Sequence, residues 1–98
     1  MEVEFKNADL DNLETDSNFS GGYSQAIVSK FRQRMQLIRA AVDERAFRNL
    51  KSLHFEKLKG NRSHQYSIRL NEQWRLIIEF DKESTPKTVI IIGIEDYH

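Results

Sequence analysis

The sequence predicts an α+β domain, with helices packed on one face of a small, mostly antiparallel sheet. Three observations predict it. Apolar residues recur at helical spacing between Ser24 and Asp43. Two alternating runs, Gln65 to Leu70 and Trp74 to Phe80, flank the link Asn71-Glu72-Gln73 and read as a hairpin. Near the end stands an apolar run, Val89 to Ile94, β-branched except at Gly93, which reads as a buried strand.

Taken in order, Val3 and Phe5 alternate with Glu2, Glu4 and Lys6, the pattern of a short first strand. Asp9 to Asp16 is expected to make one or two helical turns with Leu10 and Leu13 on one side. Ser17 to Gly22 is loop by composition. The long helix carries Ile27, Val28, Phe31, Met35, Ile38 and Val42 as its apolar stripe, with Ser24 as N-cap. A second short helix is expected from Glu44 to about Leu50, using Phe47 and Leu50. Leu53 to Ser63 reads as a basic connector with a turn at Gly60-Asn61. In the hairpin, Tyr66, Ile68 and Leu70 share a face with Trp74, Leu76, Ile78 and Phe80. Trp74 is expected to lie buried against Phe31, Met35 and Ile38. Asp81 to Lys87, with Pro86, is a polar loop.

Ninety-eight residues make one domain, 1–98, with a small core. There is no Cys, so no disulfide framework and no thiolate chemistry. No apolar run is long enough to span a membrane, and the acidic start lacks the features of a signal peptide, so the cytoplasm is the expected compartment. The formal net charge of zero hides a segregation along the chain. Residues 1–28 hold six acids and one base, whereas residues 29–75 hold twelve bases and four acids, a net +8. A stretch that basic predicts a local site for a polyanion, with the acidic segment lying elsewhere.

The link length sets the hairpin register: Arg69 opposes Arg75 and Ile68 opposes Leu76. Both arginines then fall on the face away from the helices. Like charges directly opposed across strands repel, and the pair is easiest to explain if an anion sits between them. The alternative is that each arginine finds its own acid, Glu72 or Glu79. Lys57, Lys59 and Arg62 surround Gly60 on the preceding loop, where they are placed to clamp phosphate. The last strand runs straight into Asp96, Tyr97 and His98, an acid, a phenol and an imidazole. An imidazole titrates near neutrality and serves as either base or acid. His54, His64 and His98 lack metal-ligand spacing, and there is no phosphate-binding or dinucleotide motif. No metal and no cofactor are expected.

Lys59-Gly60-Asn61-Arg62, the hairpin Tyr66-Ser-Ile-Arg69-Leu-Asn71-Glu-Gln-Trp74-Arg75-Leu, and the terminal Glu95-Asp96-Tyr97-His98 together resemble the HigB-type toxins. These belong to the RelE/ParE superfamily of toxin–antitoxin systems. The resemblance is specific over about residues 50–98 and one of layout before that. It implies a microbial-RNase-like α+β fold and cleavage of mRNA on the translating 70S ribosome. It further implies neutralisation by a small HigA-like helix-turn-helix antitoxin, with operator DNA bound only through the antitoxin complex. Lys59, Arg75, Asp96, Tyr97 and His98 match the family's catalytic positions, with His54 a looser match. His54, Lys57, Arg62 and Arg69 are assigned to RNA or phosphate contact. The acidic start and neutral total charge depart from the basic character typical of such toxins.

Two other function classes compete with this one. A non-enzymatic ParE-like toxin that poisons DNA gyrase needs no acid–base cluster at the end of the chain. A simple RNA-binding module exposes aromatic residues on a sheet face, whereas here they alternate onto the core side.

Overall fold

A computed structural model describes residues 1–83 and 87–97. Pro86 and His98 therefore lie outside the described residues. The elements are strand β1 (Glu2–Phe5), helices α1 (Ala8–Thr15), α2 (Gln25–Ala40) and α3 (Arg45–Asn49), and strands β2 (Glu56–Lys57), β3 (Gln65–Arg69), β4 (Trp74–Asp81) and β5 (Thr88–Asp96). Short 3₁₀ turns at Lys51–Leu53 and Gly60–Arg62 flank β2. The described strands form one sheet in the order β1-β5-β4-β3-β2, antiparallel except for β1 against β5.

The helices lie on one face, and the core between the layers is the one their spacing requires. Ile27, Val28, Phe31, Met35 and Ile38 of α2 and Leu10 and Leu13 of α1 are buried against Ile68, Leu76, Ile78, Val89 and Ile91 of the sheet. Asn7 caps α1 by accepting from the Leu10 amide, and Ser24 caps α2 by accepting from Ile27. α2 stops sooner than its periodicity suggested. Ala41 turns extended, so Val42 is 91% exposed instead of completing the stripe. Leu50, expected inside, is exposed too, because the chain leaves α3 in an extended conformation at that residue.

The basic connector contains a strand that the sequence reading did not include. β2 pairs with β3 through Glu56–Ser67 and Lys57–Tyr66, and the Leu58 amide donates to the Gln65 carbonyl. The hairpin register is the expected one, with Ile68 opposite Leu76 and Arg69 opposite Arg75. Trp74 differs from expectation. It is half-buried at the end of β4 and meets Tyr23 edge-on at 6.1 Å. As the first residue of β4 it borders the core without entering it.

One irregularity orients the whole end of the chain. Ile78 pairs with Ile91 but Ile77 pairs with Gly93, which leaves Ile92 as an extra residue in β5. Such a bulge reverses the faces of everything that follows. Val89 and Ile91 point into the core before it, Ile94 packs against the core after it, and Glu95 moves to the face away from the helices.

Candidate active site

That uncovered face holds a cleft of about 290 Å³ lined by Leu58, Arg62, Ser67, Arg75, Ile77, Glu95, Asp96 and Tyr97. Ser67, Arg75, Ile77 and Glu95 project there by strand alternation, and Ile77 and Ser67 are buried beneath the rest.

The hairpin link builds one end of the cleft. Asn71 Oδ1 accepts from the amides of both Gln73 and Trp74, the side-chain turn for which asparagine is suited. Its carbonyl accepts from Arg75 Nη1 at 2.7 Å. The Gln73 side chain donates to Asp96 Oδ2 at 2.9 Å, and the Gln73 carbonyl accepts from the Tyr97 amide at 2.6 Å. The spacing Asn-x-x-Trp-Arg is thereby explained: one short link positions Arg75, Asp96 and Tyr97 together. The Arg75 guanidinium lies over the Tyr97 ring, 4.1 Å from its centroid. Among the described residues no carboxylate comes within ion-pair distance of Arg75.

The other cations are placed differently. Arg62 donates to Glu95 Oε2 at 2.8 Å and to Gln65 Oε1 at 2.9 Å, and the Glu95 carboxylate raises its pKa. Arg69 has His54 Nε2 at 3.3 Å and the exposed Glu72 at a loose 3.9 Å. His54 takes a left-handed conformation, φ 45°, which histidine adopts more readily than most residues other than glycine. Burial, with Arg69 nearby, lowers the pKa of Arg34, whose Nε donates to the Arg69 carbonyl. Lys59 is exposed and leads into the 3₁₀ turn that carries Arg62, while Lys57 lines a separate cleft with Tyr66 and Phe80. Glu79 is engaged by Gln65 and His64.

The structure thus brings Arg62, Arg75, Asp96 and Tyr97 to one cleft. Lys57, Lys59, His54 and Arg69 do not line it, and His98 lies outside the described residues. Asn71 and Glu95 stand in the sequence motifs without an assigned role, and Gln73, Ser67 and Leu58 carry none there; in the structure Asn71 and Gln73 build the end of the cleft, Glu95 sits beside Arg62, and Ser67 and Leu58 line the cleft floor. The Asn71 turn was the one signal available. Among the described residues no group of three His, Asp or Glu side chains comes together to hold a metal ion.

Chemically the cleft offers a guanidinium for a phosphoryl oxygen, a phenol ring stacked on it, and a carboxylate fixed by a side-chain amide. A family model described as the RelE-like toxin of type II toxin–antitoxin system HigB matches residues 3–98. Among solved structures, a YoeB/ParE toxin from Agrobacterium tumefaciens is similar at 15% identity and a TM-score of 0.62, with all of both chains covered. A YoeB–YefM complex from Staphylococcus aureus is similar at 19% identity and a TM-score of 0.62, covering 100% of this chain and 97% of that one. No curated protein matches the chain by sequence.

Proposed function

This chain belongs to the HigB-like toxins, RelE-like toxins of type II toxin–antitoxin systems, and on that premise we propose that it is a ribosome-dependent mRNA endoribonuclease that inhibits translation and growth. The observation that supports this reading is Arg75: a guanidinium free of any carboxylate among the described residues, held over Tyr97 beside Asp96. A gyrase poison has no need of that arrangement.

The reaction is attack of a ribose 2′-hydroxyl on the adjacent phosphorus, with departure of the 5′-oxygen. Arg75 binds the phosphoryl oxygens and tightens as their charge develops. Lys59 adds a second cation from the neighbouring loop, and His54, Lys57, Arg62 and Arg69 hold flanking phosphates. Tyr97 keeps Arg75 aligned and offers its ring to the substrate. Asp96 and His98 carry the two proton transfers. The partner that silences the toxin is a small helix-turn-helix antitoxin of the HigA type, which alone carries the complex to operator DNA. The similar YoeB is itself solved with YefM. Both proteins act in the cytoplasm, and among the described residues no helix is long and apolar enough to cross a membrane.

Primer extension on translated mRNA after induction tests the reading. Discrete, codon-linked cuts are expected. Intact mRNA accompanied by broken chromosomal DNA would transfer the protein to the gyrase-poison class.

A further inference from the structure

Ser67 stands out in the cleft because its buried hydroxyl has nothing to bond among the described residues. The residue is 1% exposed, and among the described residues Oγ has no hydrogen-bond partner. Buried hydroxyls are nearly always paired, since an unpaired one loses its hydration without replacement. A β-branched apolar residue would suit this buried strand position better. The hydroxyl also sits at a particular place: on the cleft floor, opposite Ile77 on β4, with Leu58 alongside and Arg75 on the rim.

We propose that Ser67 is a specificity-determining residue that hydrogen-bonds the edge of a nucleobase seated on the Leu58–Ile77 floor, next to the phosphate held by Arg75. This rests on the ribonuclease reading above. The floor chemistry favours a base over a second phosphate. A charged group lowered between Leu58 and Ile77 would be desolvated beside apolar carbon, while a flat neutral ring gains from the same surface. Sequence-specific recognition of single-stranded RNA works in this way, by unstacking a base and hydrogen-bonding its edge. A hydroxyl both donates and accepts, so it rejects a base by being left unpaired when that base presents no polar group there. Solvent does not reach Oγ in this conformation, so the incoming base parts the rim, where Tyr97 is 53% exposed.

The test compares cleavage-site profiles of the parent and Ser67→Ala on translated mRNA, with melting curves of both proteins. Arg75→Ala serves as the contrast. The expected result has two parts. Ser67→Ala melts at the same or a higher temperature, because an unpaired hydroxyl has been removed. Its preference among bases at one position beside the cut falls by roughly tenfold or more, while Arg75→Ala lowers cleavage at all sites alike. A parent with no base preference, a Ser67→Ala profile identical to the parent's, or an even loss at every site would each overturn the assignment. If Ser67→Ala fails to fold, Ser67→Cys keeps the side-chain shape at slightly larger size with a weaker hydrogen bond, and its profile is read by the same criteria. A parent that cuts no mRNA sinks the ribonuclease reading itself. A parent that cuts with a profile Ser67→Ala preserves sinks only the role of Ser67.

Discussion

Arg62 and Arg75 face the same cleft but meet a phosphate on unequal terms. Arg75 bonds a backbone carbonyl and stacks on Tyr97, so among the described residues a phosphate displaces no carboxylate from it. Arg62 is already paired with Glu95, and a phosphate must compete with that carboxylate. An exposed pair of this kind is worth about 0.2–1 kcal/mol, enough to discount Arg62 severalfold. Arg75→Ala is therefore expected to lower cleavage of translated mRNA by about 10²–10³-fold, and Arg62→Ala by less than roughly tenfold. Arg75→Lys should rescue little, because an ammonium lacks the planar fork and the ring contact. Single-turnover rates on programmed ribosomes measure all three, and equal losses for the two alanine variants would contradict the ranking. His98→Ala is expected to lose about 10²–10⁴-fold in rate while ribosome association stays near the parent's. Loss of association in step with rate would make His98 a binding group instead.

The bulge at Ile92 is the element on which the site depends. It brings Ile94 to the core side and Glu95 to the cleft side in the last stretch of β5. Deleting Ile92 removes the extra residue, and plain alternation then keeps Ile94 opposite Leu76 on the core side and Glu95 opposite Arg75 on the cleft side, so the variant should stay folded by circular dichroism. A deletion variant that unfolds would contradict the assignment of Ile92 as the extra residue. α2 carries the other large contribution. Phe31, with no exposed surface, should cost about 3–5 kcal/mol when cut to alanine. Trp74, half-buried at the strand end, should cost less, and urea denaturation of the two variants compares them. At the start of α3, Arg45 bonds the Asp43 side chain and holds its carboxyl at about 2, below 3.8. A depressed carboxylate stabilises above its unfolded value, and that contribution fades as pH falls through about 2. This fully exposed pair therefore leaves α3 indifferent to pH near neutrality.

Across the whole molecule, charge separated along the chain is recombined in space where α1 meets α2. Arg39 pairs with Glu14 at 2.7 Å, and Arg32 donates to the Leu13 and Asp16 carbonyls. The acidic start thus lies against the basic helix, not elsewhere as its sequence position suggested, and it occupies two of that helix's cations. Among the described residues, Arg62, Arg69, Arg75, Lys57 and Lys59 of the sheet and its connector form no ion pair with the acids of that segment. Binding to ribosomes is expected to weaken with salt by roughly 0.7 in log K per tenfold salt for each single-strand phosphate contacted. Arg75→Ala should reduce that slope, whereas Arg39→Ala should leave it alone and lower stability instead. Salt titrations of ribosome association, with melting curves, distinguish the two. Equal slopes for both variants would mean that the polyanion does not meet the sheet face.

The α+β class, the stripe of α2 and the hairpin register were legible in the sequence, because each rests on a local period or a short link. A three-residue link leaves one sensible pairing, and side chains two apart share a face. The association of Asn71, Trp74 and Arg75 with the terminal acid and phenol was legible only as a resemblance. Other features required the assembled sheet. β2 is two residues long and has no period to read. Val-Ile-Ile-Ile-Gly-Ile contains no alternation, so nothing local says that Ile92 is the extra residue. Its pairing with β4 decides that, and with it which way Glu95 points. The carboxylate beside Arg62, the hydroxyl left unpaired at Ser67 and the exposure of Val42 depend likewise on neighbours distant along the chain. Periodicity specifies which residues seek the core, but where two strands fall out of step is settled only when they pair.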